Sequence, residues 1–179
     1  MFFAILEPMT AVLAKPDILR LLQENPPLLE GYVDLDTQLQ PNGFDLTLRD
    51  IALLETAGQI AASDQERRVS ALAPLIFGRS GFIELMPGPY LITYNEIVHL
   101  PNNIMALARP RSSLLRCGVT VGAAVWDAGY SGRSQSLLVV YNPRGFRLQR
   151  NARVLQLIFF QLTGDTEGYH GAYQGENTD

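Results

Sequence analysis

The brevity of the apolar runs constrains the fold most. Apolar or alternating stretches fall at residues 44–48, 81–85, 90–94, 104–108, 137–141 and 154–162, separated by Gly, Pro and Asn. Runs this short do not carry the repeating face of a long helix, and their spacing predicts a mainly β sandwich or barrel. Pro87-Gly88-Pro89 and Asn142-Pro143-Arg144-Gly145 are turn signals between them. The exception lies near the start, where Pro16 falls in the first turn of an apolar-periodic segment and Pro26-Pro27 stop it. That pattern predicts one short helix over about 15–25. The more polar, Ala-rich stretch 50–74 is expected to form a loop or short helix over the core. No repeat, low-complexity tract or linker divides the chain, so a single domain over 1–179 is expected.

With 179 residues, 47% of them apolar, the chain is large enough to bury one sizeable core. Its net charge of -4 and pI near 5.2 lack the basic footprint that nucleic-acid backbones select, which argues against a general DNA or RNA binder. One cysteine, Cys117, forms no internal disulfide, and no Cys or His falls at zinc-ligand spacing. A reducing, cytoplasmic setting is expected. Residues 1–14 contain Glu7 and Pro8 with no basic residue before Lys15, the reverse of a signal peptide. No apolar run reaches the roughly 18 residues of a membrane span.

Charge is unevenly placed. Eight arginines (109, 111, 116, 133, 144, 147, 150, 153) and one acid, Asp127, occupy 109–153, a local balance of +7. Residues 1–108 carry six basic and thirteen acidic residues. Arginine forks suit phosphate and carboxylate recognition because they donate paired hydrogen bonds. Two motifs lie in this segment. In Arg109-Pro110-Arg111-Ser112-Ser113-Leu114-Leu115-Arg116-Cys117-Gly118, Pro and two serines precede a short apolar stretch ended by Gly, the outline of a one- or two-turn helix. Hydroxyls, free N–H groups and guanidiniums there make either an anion site or an ordinary serine cap flanked by solvated arginines. In Trp126-Asp127-Ala128-Gly129-Tyr130-Ser131-Gly132, Asp127 is either a base that takes a proton from an attacking water or an Asx-turn residue before Gly.

Together these motifs resemble, in order, the dUTPase and dCTP deaminase superfamily, especially its archaeal-type dUTPase branch. Gln40-Pro41-Asn42-Gly43-Phe44-Asp45-Leu46 is similar to the family's first motif, Arg111 to Gly118 to the second and Asp127 to Gly132 to the third. Asn151-Ala152-Arg153-Val154-Leu155-Gln156-Leu157 is similar to the fourth, and Tyr169-His170-Gly171-Ala172-Tyr173-Gln174-Gly175 to the closing tail of deaminase-like members. The resemblance spans about 38–176. It implies distorted β jelly rolls assembled as a homotrimer with shared active sites, dUTP as substrate and Mg2+ as cofactor, with no nucleic-acid or membrane partner. By the same resemblance Arg111, Ser112, Ser113 and Arg116 would hold the triphosphate, and Asp127 would deprotonate the water that attacks the α-phosphorus. Tyr130 would pack against deoxyribose, and Gln156 would brace the phosphate loop. Asp45 would support Mg2+ through water or hold a subunit contact. Uracil would be read by backbone around Val119 to Ala124 or Arg133 to Leu137, the latter segment carrying Gln135 as a substrate-binding candidate. Tyr169, Tyr173 and Gln174, within a tail of about 165–179, would cover the nucleotide. Ala172 and Glu176 depart from the Lys and Gln of deaminase-like tails, and the glycine-rich fifth motif of standard trimeric dUTPases is missing.

The superfamily's deaminases carry a Glu on the strand after the third motif. Here that strand, Arg133 to Asn142, holds no acid. Counting from Asn142 puts Val139 at the Glu position and counting from Asp127 puts Leu137 there, a two-residue disagreement that suggests a bulge near Gln135. An amide does not titrate, so Gln135 is no substitute, and hydrolysis of dUTP to dUMP and pyrophosphate is expected ahead of dCTP deamination or a bifunctional activity. A catalytically silent nucleotide sensor is the reading from another class. Zinc-dependent deamination is excluded by the absent H-x-E and P-C-x-x-C ligands. Cys117 is expected as a buried small side chain, and His170 as a polar tail residue.

Overall fold

A computed structural model describes residues 12–179; most of the stretch 1–14 read above as carrying no signal peptide lies outside the described residues. The chain runs α1 (Lys15–Leu21), β1 (Leu29–Glu30), α2 (Leu35–Gln38), β2 (Leu39–Gln40), β3 (Gly43–Leu54), β4 (Leu72–Pro74), β5 (Phe82–Leu85), β6 (Gly88–Tyr94) and β7 (Ile97–His99). It continues through β8 (Ile104–Pro110), α3 (Ser112–Arg116), β9 (Val119–Gly122), β10 (Ser131–Gly132), β11 (Gln135–Val140), β12 (Phe146–Gln149) and β13 (Arg153–Gln161). The predicted helix is present but ends at Leu21, before Pro26-Pro27 are reached. Among the described residues no helix is long and apolar enough to cross a membrane.

The main sheet has the order β8-β13-β3-β6-β11-β9, with β2 and β4 added along β3, and every pairing is antiparallel. Its two outermost strands, β8 and β9, are consecutive in the chain and joined by the five-residue α3. So short a link forces the sheet to curl until its ends approach, which yields a nearly closed barrel. A three-stranded sheet, β1-β7-β10, and the pair β12-β5 complete the mainly β fold.

Strand β3 is the spine. Phe44, Leu46 and Leu48 alternate inward and are fully buried, as period-two patterning requires. The intervening Asp45 and Thr47 are buried too, because α2 and the β6–β7 connection cover the other face. Beyond residue 50 the structure departs from the expected loop or helix. Strand β3 continues to Leu54 and pairs with β4, and Gln59 pairs with Arg68, so 50–74 forms a hairpin arm tipped by a 3-10 turn at Asp64–Glu66. The expected bulge at Gln135 is also absent: β11 pairs with β6 in unbroken register from Gln135↔Thr93 to Val140↔Gly88.

Candidate active site

Trp126 bridges Ala106 of β8 in the backbone and is buried, which fixes where the chain enters the third motif. Its indole N–H donates to Ser134 Oγ. The next residues turn tightly: the Tyr130 N–H donates to the Asp127 carbonyl at 3.1 Å. Gly129 takes φ +82°, and a Cβ there would lie 2.6 Å from Gly168 Cα, so glycine is required for both conformation and space. The turn is closed by backbone. No hydrogen bond or ion pair from the Asp127 side chain exists among the described residues, so the Asx-turn reading does not hold, and this exposed side chain lines a cleft of about 720 Å³.

The cleft gathers Asp127, Tyr130, Gln135, Tyr169 and Tyr173 from the set read in the sequence. Tyr130 is 5% exposed, and its ring meets Tyr169 edge-on with centroids 5.7 Å apart. Its hydroxyl lies 3.2 Å from Ser134 Oγ and donates to Glu176 Oε1 at 2.9 Å. Burial pushes the Tyr130 hydroxyl pKa well up, and the Glu176 carboxylate adds to the shift. Burial likewise raises the Glu176 pKa, while the bond from Tyr130 works the other way. Gln135 Nε2 donates to Thr93 Oγ1 at 3.0 Å. Leu137 and Val139, the two positions competing for the deaminase Glu, lie on the same face of β11 as Gln135, opposite buried Leu138 and Val140. That face bears no acid by either count.

The tail folds onto this motif in its own chain. Gln174 does not line the cleft. Instead its Oε1 accepts from the Ser131 N–H at 3.0 Å and its Nε2 donates to the Gly129 carbonyl at 3.1 Å. Gly175 N–H donates to the Ser131 carbonyl and Arg133 N–H to the Glu176 carbonyl, so the tail extends the sheet edge at β10. His170 is an exposed tail residue, as expected, its Nε2 lying 3.2 Å from the Glu167 carbonyl.

The second motif stands elsewhere. Arg111 is the N-cap of α3 and makes no side-chain cap, so Ser112 and Ser113 sit in the first turn with their side chains exposed and do not cap the helix. Arg116 is exposed as well. Cys117 is exposed, not buried: α3 buries Leu114 alone, and Cys117 closes the helix just before Gly118, which takes a positive φ of 73°. Asp45 is fully buried, with Oδ2 paired to Arg111 Nη1 and to Arg153 Nη1, the latter at 3.3 Å. Asp45 Oδ1 has no partner among the described residues. Gln156 lies on β13 between Asp45 and Arg109. Arg111, Ser112, Ser113, Arg116, Asp45 and Gln156 do not line the Asp127 cleft. Strand β8 separates the groups, since Ala106 pairs with Trp126 at one end and Pro110 leads into α3 at the other. The five residue-to-residue steps of extended chain from Ala106 to Arg111 span about 16 Å.

Among the described residues no three His, Cys, Asp or Glu side chains gather as a cation site. The donor set fits Mg2+ only as an ion that arrives on phosphates and keeps several waters. Sequence reasoning missed Glu176, Trp126, Ser134 and Arg68 as cleft residues. Among the described residues Arg68 is the only basic one lining the cleft, and neighbouring Arg67 lies over the Tyr173 ring, 5.7 Å from its centroid. Arg67 and Arg68 of the arm lie outside every motif, so no local pattern marked them.

Comparison with known proteins agrees with this architecture. Residues 12–162 match the family model described as dCTP deaminase-like. A Methanosarcina mazei protein named probable deoxyuridine 5'-triphosphate nucleotidohydrolase is 53% identical over 94% of this chain and 99% of its own length. An Archaeoglobus fulgidus protein of the same name is 47% identical over 94% and 99%. The crystal structure of 2'-deoxycytidine 5'-triphosphate deaminase from Agrobacterium tumefaciens shares the fold with a TM-score of 0.64 at 24% identity. That alignment covers 86% of this chain and 49% of the deaminase chain, so the chain spans about half the length of that structure. On its matched span and its close relatives, the chain belongs to the dCTP deaminase-like family, beside archaeal members named as dUTP nucleotidohydrolases.

Proposed function

We propose that the protein is a dUTP diphosphatase, converting dUTP and water to dUMP and pyrophosphate in a site completed by a second copy of the chain within a homotrimer. The observation that carries this reading is the Asp127 carboxylate, without a side-chain partner among the described residues and facing a cleft of nucleotide size. Relatives at 47–53% identity over nearly their whole length bear the name of that activity. In the reaction Asp127 accepts a proton from water, the water oxygen bonds to the α-phosphorus, and the bond to the bridging oxygen breaks to release pyrophosphate. Tyr130 packs against the deoxyribose, and Tyr169 and Tyr173 cover the nucleotide. Arg111, Ser112, Ser113 and Arg116 of a neighbouring copy hold the phosphates, with Gln156 bracing their loop. The distance between the two groups along β8 within one chain supports that division. Mg2+ carried on the phosphates supplies further charge neutralisation when bound.

The acid-free face of β11 supports hydrolysis without deamination. The test is incubation of the protein with Mg2+ and, separately, dUTP, dCTP, dTTP and UTP, with nucleotides resolved by ion exchange and ammonia assayed. Conversion of dUTP alone to dUMP is the expected result. Ammonia from dCTP contradicts the reaction assignment, and nucleotide binding without turnover identifies a sensor.

A further inference from the structure

Strand β3 has a gap in its pairing. On one edge it pairs with β2 at Phe44 and Gly43 and with β6 from Leu48 onward, which leaves Asp45 to Thr47 without a strand partner on that edge. Two buried side chains and the Asn95 N–H, which donates to the Thr47 carbonyl at 3.0 Å, fill the gap. Gln38 Nε2 donates to the Asp45 carbonyl at 2.8 Å, and Glu96 Oε2 accepts from the Thr47 N–H at 2.9 Å. They also hold each other: Gln38 Nε2 donates to Glu96 Oε1 at 2.7 Å, and Thr47 Oγ1 donates to the same oxygen at 2.6 Å. Gln38 and Glu96 are 1% and 0% exposed. On the Asp45 side chain the same stretch of strand carries Arg111 and Arg153.

A fully buried carboxylate is costly to retain, and here it has no ion pair among the described residues; hydrogen bonds from an amide, a hydroxyl and a backbone N–H compensate it, with the charge of Arg133 acting at longer range. We infer that Glu96 is a positioning residue for the arginine cluster: through Gln38 and Thr47 it fixes the backbone of Asp45, and so the place where Arg111 meets an anion. The inference rests on the reading of Arg111 as a phosphate ligand. A glutamine at 96 offers one acceptor and one amide group to three donors, so in either orientation an amide N–H meets a donor from Gln38 or Thr47. The edge must then shift, and displacement of charged groups by about 1 Å is enough for large losses in binding and rate.

The test compares Glu96→Gln with wild type and with Leu148→Ala, a core truncation in β12 on the separate β12-β5 pair. Inorganic tripolyphosphate binding is measured by calorimetry, which needs no turnover, beside Tm and the KM and kcat for dUTP. For Glu96→Gln we expect at least about tenfold weaker tripolyphosphate binding and a matching rise in KM with a smaller change in kcat. Leu148→Ala should lower Tm while leaving affinity and KM unchanged. If Glu96→Gln is too poorly folded to assay, Thr47→Val removes one donor to Glu96 and should give a smaller loss in the same direction. Equal tripolyphosphate affinity in the folded variant and wild type overturns the positioning role. Failure of wild type to hydrolyse dUTP, with the affinity difference intact, overturns the functional reading but not the role of Glu96.

Discussion

Replacing Asp45 by Asn tests the electrostatics of the arginine cluster. Asp45 Oδ2 carries two guanidiniums, while the carboxylate is 1% exposed. Removing one partner of a fully buried ion pair costs about 3–5 kcal/mol, because the remaining charge is left uncompensated. The charges left behind here are Arg111 and Arg153, whose side chains are 28% and 34% exposed, so water recovers part of the loss. Asn also keeps an acceptor for them, but places its N–H2 where Oδ1 already lacks a partner. The expected cost is therefore about 2–3 kcal/mol. With a urea m-value near 2 kcal/mol/M, the midpoint should fall by about 1–1.5 M. Trp126, the single tryptophan and buried in the core, reports unfolding by fluorescence. Both proteins must be compared at one protomer concentration, since assembly shifts apparent stability. A midpoint shift under about 0.3 M would mean that water already screens the cluster, and the argument for a buried clamp would fail.

Other consequences are as direct. Asp127→Asn should abolish release of dUMP and pyrophosphate while leaving dUTP binding measurable by calorimetry; retained turnover would remove Asp127 as the base. Because burial raises the Glu176 pKa, the docked tail binds a proton more readily than the free tail. Tail docking should therefore be strongest below the ordinary glutamate range and weaken as pH rises through the raised value, and limited proteolysis across pH should reveal this in wild type but not in Glu176→Gln. Gly129→Ala forces a Cβ to 2.8 Å from the Tyr169 N at a φ of +82°, so it should displace the tail and reduce Tm by several degrees in a thermal melt.

The strands and turns were legible because they depend on local chemistry: period-two burial in β3 and glycine or proline at reversals. The hairpin arm was not, since residues 50–74 look polar when read alone and become strand only by pairing, Asp50 to Leu53 with β6 and Ala52 to Leu54 with β4. Asp127 and Tyr130 were legible from their motif, and their meeting with the tail at Tyr169 followed from the resemblance. Glu176 was not, because an acid three residues before Asp179 becomes a cleft residue only when the tail pairs along β10. Cys117 was misplaced for a related reason, as its burial depends on how many faces α3 presents to the core, and α3 presents one. Glu96 carried no sequence signal, because its function in the fold is to fill a gap that exists only once β2 and β6 have left β3.

The central claim, a dUTP-hydrolysing site built from two copies of the chain, is tested most directly by mixing two inactive variants. Asp127→Asn and Arg116→Ala are unfolded together, refolded at equal ratio, and assayed for pyrophosphate release from dUTP. If Asp127 of one copy works with Arg116 of a neighbour, random trimers hold about one fully wild-type site in four, and about a quarter of wild-type activity should return. If each site lies within one chain, every site in the mixture lacks one group, and activity would stay at the level of the separate variants.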